Sequence, residues 1–513
     1  MLENAELLSR ARRAIAARDF AGASTHYRKL LESGENAEAL LHLSNTEAHA
    51  DHYRLAHDYA LRALPAAAGN PALAPSVMLC LRHFEETGAL RRYIDGSTFL
   101  RGMADARTLQ LVSAQLSWIG DQAGAIEFVS LAIRWEPNMG SLRLARAQME
   151  MFLGDFDAAE EDLHACLRGD PGNANAYWTL AQLRKWTADN NHVDAIRRLL
   201  RAPSHSTIDR TRLLFALHKE LDDLGDIPGA YAALADGCKL HRANQKYDKR
   251  DTTRLFSKLK NMPVGEFEQK GSFDFTPVFI VGMFRSGTTL LEQLLGGHEG
   301  MLNAGELHDM AARMRYAADH YFPGATDEVV ADRAGGIDFA DVGRRYMEGV
   351  EWRVDGHSHV TDKWPANHQN VGFICQAMPQ AKVIHMSRDP VETCFSNLRE
   401  LFGHAAAYSY DQLELADYCN QYQDLMAHWH QRFPGRILEV TYSDLVRDTE
   451  ATMRKVAGFC GIPFTDKLLQ PNSRGKSVAT ASAMQVREKI VVRDKPKWSP
   501  YEQYLQPLIG ALR

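Results

Sequence analysis

Thr276-Pro277-Val278-Phe279-Ile280-Val281-Gly282-Met283-Phe284-Arg285-Ser286-Gly287-Thr288-Thr289-Leu290-Leu291 runs from one apolar segment through two glycines into another. The first segment is rich in β-branched and aromatic residues and reads as a buried strand. Pro277 stands near its start, where a missing N–H costs little. After the second glycine, Leu290, Leu291, Leu294 and Leu295 fall on one apolar stripe at helical spacing. Strand, short loop and helix N-terminus in that order aim backbone N–H groups and the positive end of a helix dipole at one point. Such a point is an anion site.

The chemistry turns on one position. Gly282 and Gly287 have the spacing of the nucleotide-hydrolase loop G-x-x-x-x-G-K-[ST], but Thr288 stands where that loop has its lysine. The positive charge sits instead inside the loop, at Arg285. A triphosphatase lacking that lysine, and without an evident acidic strand end for magnesium, is badly impaired. The pattern suits a less charged phosphate ligand handled without metal. A plain Gly turn leaves the cluster Arg285-Ser286-Gly287-Thr288-Thr289 without a reason.

Downstream, strands are expected at Ala381–Met386 and Arg436–Thr441, each followed by a helix. That alternation is the pattern of an α/β domain with a parallel sheet. The first ends in Ser387-Arg388-Asp389-Pro390, so Asp389 or Ser387 caps a helix begun by Pro390 and Arg388 is held at a strand end. Ser396 and Arg399 share a face of that helix. Two further charged stretches are Asn303-Ala304-Gly305-Glu306-Leu307-His308 and Val360-Thr361-Asp362-Lys363-Trp364-Pro365. On an extended segment Asp362 and Lys363 point to opposite sides. His357-Ser358-His359 and His428-Trp429-His430 lack Cys or carboxylate at ligand spacing, so no metal site is expected.

Upstream, the chain repeats itself. Gly120-Asp121 returns as Gly154-Asp155, Ala125 as Ala159, and Pro137 as Pro171. The offset is about 34 residues, the period of a tetratricopeptide helix-turn-helix unit. Gly-Asp makes the turn between helices, small residues let them pack closely, and the late proline ends the second helix. Weaker copies start at Arg18-Asp19, Asp51-His52 and Gly225-Asp226. The division expected is an α-solenoid over 1–250, a linker over 251–270 and an α/β domain over 271–513.

Composition sets the class. A chain of 513 residues with 45% hydrophobic and 24% charged content is globular and multidomain. A net charge of −6 offers no general attraction to nucleic acid, and no apolar run approaches the length of a membrane span. The sequence opens without a basic and apolar leader, and seven scattered cysteines form no CxxC pair, so a cytoplasmic location is expected.

On these residues the α/β half resembles the sulfotransferase superfamily. Phe279 to Glu292 is similar to its 5′-phosphosulfate loop, as found in the tyrosylprotein branch and in bacterial sulfotransferases fused to tetratricopeptide repeats. Phe284 stands where a proline is usual. The resemblance implies 3′-phosphoadenosine 5′-phosphosulfate as donor and its 3′,5′-bisphosphate as product. Arg285, Ser286, Gly287, Thr288 and Thr289 then hold the 5′-phosphosulfate, Arg388 and Ser396 the 3′-phosphate, and Tyr442 lies near the adenine. Thr480 to Arg487 and Lys497-Trp498 look like the segment that folds over the donor, with Arg487 and Lys497 as phosphate contacts. Lys363 matches the lysine that donates to the leaving oxygen, and Arg285 can assist.

Glu306 matches the first of two glutamates, and Leu307 replaces the second. The general base is therefore Glu306 or, in its place, His308. The acceptor is a hydroxyl: a protein tyrosine, a carbohydrate or a small metabolite. The repeats add a surface for a peptide or protein partner. Two other classes stay open, a P-loop kinase and a repeat-based scaffold whose α/β domain is a degenerate enzyme.

Overall fold

The computed structural model describes residues 2–103, 105–202, 205–265, 271–402, 405–471 and 495–513. It comprises two compact units. One is Met1–Glu136 with His308–Arg353, and the other is Pro137–Leu307 with Val354–Arg513.

The repeat turns are built as the sequence implies. Gly120 and Gly154 take φ of 92° and 86°, the left-handed end of a helix. The following Asp121 and Asp155 cap the next helix, their carboxylates accepting from Gly124 N at 2.8 Å and Ala158 N at 3.2 Å. Gly225 and Asp226 do the same, with Gly229 N at 3.0 Å. In the weaker copies Arg18 and Asp51 adopt the left-handed position themselves, at φ 59° and 61°. The helical half is thus a series of antiparallel helix pairs, among them Ala106–Trp118 with Gln122–Trp135 and Gly140–Leu153 with Phe156–Gly169.

Within the first unit, the segment between Leu307 and Val354 supplies three helices, Asp309–Ala318, Glu328–Arg333 and Phe339–Val354. Polar anchors tie them to the early helices. Arg54 donates to the Tyr316 carbonyl at 2.9 Å, Arg353 to the Ile119 carbonyl at 2.7 Å, and Arg313 pairs with Glu86 at 2.9 Å. Burial opposes the Glu86 charge, yet His57 and Arg313 hold its carboxyl down to about 2.

The second unit contains a five-stranded, wholly parallel sheet: β1 Thr276–Gly282, β2 Met301–Asn303, β3 His359–Asp362, β4 Lys382–Ser387 and β5 Ile437–Thr441. Their order is β2-β3-β1-β4-β5. Two of these strands, β2 and β3, carry three and four residues, too short to show a period in sequence. Val278, Ile280, Ile384 and Val440 from the sheet pack with Leu291, Leu294 and Leu295 of the helix Thr288–Leu295. The chain moves outward from β1 to one side, then crosses β1 to reach β4. That reversal makes the carboxyl end of β1 a topological switch point, the usual place for a ligand in such sheets. A larger concavity of about 650 Å³ lies at the opposite, amino ends of β1 and β3 and carries no comparable cluster of cationic side chains.

Candidate active site

β1 delivers its chain into a loop that is tight by construction. A Cβ on Gly282 would sit 2.6 Å from the Met386 carbonyl of β4 and 2.8 Å from Ser286 Oγ. One on Gly287 would lie 2.5 Å from the Tyr442 ring. Gly287 turns at φ 105° and Arg285 at 67°, a conformation that a non-glycine residue holds only when its surroundings enforce it. Gly287 then leads into the helix Thr288–Leu295, whose eight residues are all buried.

The guanidinium of Arg285 is enclosed. Its Nε donates to Ser396 Oγ at 3.2 Å, and it lies 3.7 Å from the Glu400 carboxylate. Burial lowers its pKa, with Glu400 opposing. Burial likewise raises the Glu400 carboxyl, with Arg285 opposing. Asn397 donates to the Phe284 carbonyl at 2.7 Å and so pins the loop from the same helix, Pro390–Leu398.

Arg388 follows β4. Asp389 caps the helix beyond it, accepting from Glu392 N at 2.9 Å. Arg388 donates to Glu392 at 3.0 Å and to the Arg285 carbonyl at 3.3 Å, and its guanidinium lies 4.4 Å from the centre of the Tyr442 ring. Arg285, Ser396, Arg388, Tyr442 and Gly287 therefore form one neighbourhood. Ser286, Arg388 and Thr393 also line a cavity of about 300 Å³. The hydroxyls of Ser286 and Thr393 are buried and meet no protein partner among the described residues. Orphaned hydroxyls beside two arginines and a helix N-terminus fit an anionic phosphate ligand.

β3 supplies the second group. Lys363, fully buried, follows Asp362, and its Nζ donates to Glu306 at 2.7 Å. The backbone between them is fixed as well, because Lys363 N donates to the Gly305 carbonyl at 2.8 Å. Beneath them lies Glu292, to which no role falls on sequence grounds. Its carboxylate accepts from Thr361 Oγ1 at 2.7 Å and Gly305 N at 3.0 Å. Burial raises its pKa, with Lys363 opposing. The available signal is a lone charged residue inside a helix that is otherwise uncharged and rich in leucine.

The remaining expected residues fall elsewhere. His308 faces Glu85 at 3.5 Å and the edge of Trp118, all within the first unit. Leu307 is buried. Lys497 is exposed, and its charge acts on the Asp222 carboxylate. Arg487, with the stretch from Thr480, lies outside the described residues.

Residues 277–466 match the model described as "Sulfotransferase family". An uncharacterised protein of Aquifex aeolicus is 28% identical over 66% of this chain and 46% of its own length. A protein-tyrosine sulfotransferase of Drosophila melanogaster is 22% identical over 50% of each. The chain thus spans about half the length of these curated relatives. The sulfotransferase domain of the Synechococcus PCC 7002 olefin synthase is 18% identical, with a TM-score of 0.29 over 47% of this chain and 98% of that one. The α/β segment is a sulfotransferase-family domain. The same chain carries tetratricopeptide-like helix pairs upstream of that domain.

Proposed function

We propose that this chain transfers a sulfuryl group from 3′-phosphoadenosine 5′-phosphosulfate to a hydroxyl acceptor. The reading rests on a lysine-free anion loop ringed by cations at three strand ends: Arg285 after β1, Lys363 after β3 and Arg388 after β4. When bound, the donor supplies an activated sulfuryl group attached to its 5′-phosphate.

The protein's part is to position and to neutralise. Gly287, Thr288 and Thr289 present backbone N–H groups to the 5′-phosphosulfate, and Ser286 adds its hydroxyl. Arg388 and Ser396 take the 3′-phosphate, and Tyr442 borders the adenine. Lys363 steadies charge on the leaving oxygen, assisted by Arg285. Glu306 takes the acceptor's proton. It is preferred over His308 because it already touches Lys363, whereas His308 is engaged with Glu85 and Trp118. Arg487 and Lys497 complete the proposed phosphate contacts.

A protein tyrosine is the first acceptor to test, because two relatives bear the name protein-tyrosine sulfotransferase and helical repeats offer a peptide-binding surface. Seven free cysteines support a cytoplasmic location. Among the described residues no helix is long and apolar enough to cross a membrane.

The test is calorimetric titration with 3′-phosphoadenosine 5′-phosphate in the absence of magnesium. Micromolar or tighter binding is expected, weakened about 10- to 100-fold by Arg388→Ala through loss of charge-assisted hydrogen bonds. Absence of that binding, together with magnesium-dependent ATP binding, overturns the proposal in favour of a kinase.

A further inference from the structure

His385 of β4 and Glu439 of β5 are register partners in adjacent parallel strands, so their side chains leave the same face of the sheet. The long helix Gln412–Arg432 crosses that face and brings His430 to them. His385 Nδ1 and His430 Nε2 lie 3.1 Å apart, and one ligand atom from each of the three residues falls within 4.8 Å of the others. His385 is buried, His430 half-buried and Glu439 exposed, which grades the cluster from core to solvent. All three line the cavity that also reaches Ser286 and Arg388.

We propose that His385, His430 and Glu439 bind a divalent transition-metal ion of the zinc class. Two imidazoles and one carboxylate are a donor set for such ions and not for magnesium or calcium. The imidazole pair needs little adjustment, and the Glu439 carboxylate, on the exposed rim, closes the remaining gap. Nitrogens each about 2.0–2.1 Å from a tetrahedral zinc stand roughly 3.3 Å apart, close to the spacing already present. The other ring nitrogen of His385 is held by the Tyr422 hydroxyl at 2.6 Å, the outer contact that fixes a ligand's tautomer and direction. Tyr422 in turn bonds the Met283 backbone at the entry to the anion loop. The ion clamps β4, β5 and the long helix together behind the loop. It leaves a fourth position towards the cavity.

The alternative is a plain His–His hydrogen bond with Glu439 idle, and metal uptake separates the two. The full chain, stripped with a chelator, is titrated with Co²⁺ by visible absorption and with Zn²⁺ by calorimetry, beside His430→Ala and Glu439→Gln. The expected result is one equivalent per chain, the intense visible bands of a four-coordinate cobalt site, and a rise in Tm with zinc. Both variants weaken uptake, His430→Ala by about 100-fold, while circular dichroism and bisphosphate binding are retained. Glu439→Gln lies on the exposed rim and keeps the test interpretable if His430→Ala disturbs folding. The proposal fails if wild-type protein takes up no stoichiometric ion, or if folded variants bind it as the wild type does.

Discussion

The two halves of the candidate site are finished to different degrees. On the β1/β4 side, hydroxyls of Ser286 and Thr393 are buried without a protein partner. On the β3 side, Lys363, Glu306, Glu292, Thr361 and Gly305 are joined to one another by hydrogen bonds. The first half is shaped for something that arrives with its own acceptor oxygens. The second is balanced in advance, so its lysine is held in place before any ligand is present. An anion cradle and a pre-aligned cation are what a transfer site needs, and under the proposed function the contrast separates binding from turnover.

The sharpest test is Lys363→Ala. It is expected to reduce sulfuryl transfer about a thousandfold, the scale of removing an electrostatic stabiliser of the transition state, while changing bisphosphate affinity little. Equal losses in both would erase the distinction between the halves.

Acid should expose the scaffold behind the cradle. Burial pushes His368 down to about 4 and His385 down to about 3. Between those values and the unfolded value near 6.5, the unfolded chain holds more protons, so stability falls as pH falls through this window. Metal-free protein is expected to lose roughly 1.4 kcal/mol per pH unit for each of the two protons well inside it. Denaturant midpoints from pH 7.5 to 5 measure the slope, and a flat profile contradicts neutral burial.

Glu292→Gln preserves shape and removes a charge beneath Lys363. About a tenfold loss of turnover with intact bisphosphate binding is expected, a differential interaction near 1.4 kcal/mol. The smallest effect belongs to Ser286→Ala. Affinity for the bisphosphate should fall about fivefold, on the scale of one neutral hydrogen bond, with stability unchanged or slightly higher because a buried unpaired hydroxyl is gone. Equilibrium unfolding beside calorimetry checks both parts.

Sequence made the cradle legible and the balanced network only partly so. Gly282, Arg285, Gly287 and the leucine stripe lie within one short segment, where spacing alone carries the meaning. Arg388 and the cap at Asp389 were readable for the same reason. Glu292, by contrast, meets Thr361 across 69 residues, and Glu400 meets Arg285 across more than a hundred, so no local period reveals either. The strands β2 and β3 were too short to alternate visibly. His430 looked inert beside His428 and Trp429 because its partners lie on two strands remote in sequence. In the helical half the Gly-Asp turn repeated with its period intact, whereas the union of His308–Arg353 with Met1–Glu136 had no local marker.

That union bears on how the chain is made. A ribosome releases Glu136 about 170 residues before it reaches His308. At roughly 5–20 residues per second the early helices wait on the order of ten to thirty seconds for the segment that buries Glu86 against Arg313. During that interval Glu86 lacks its guanidinium, and the cluster of Tyr53, Ala56, Ala60 and Phe84 lacks the Tyr316 ring that packs against it. Vectorial synthesis therefore leaves this end of the molecule dependent on a late arrival. A fragment cut after the last repeat would lack both partners permanently.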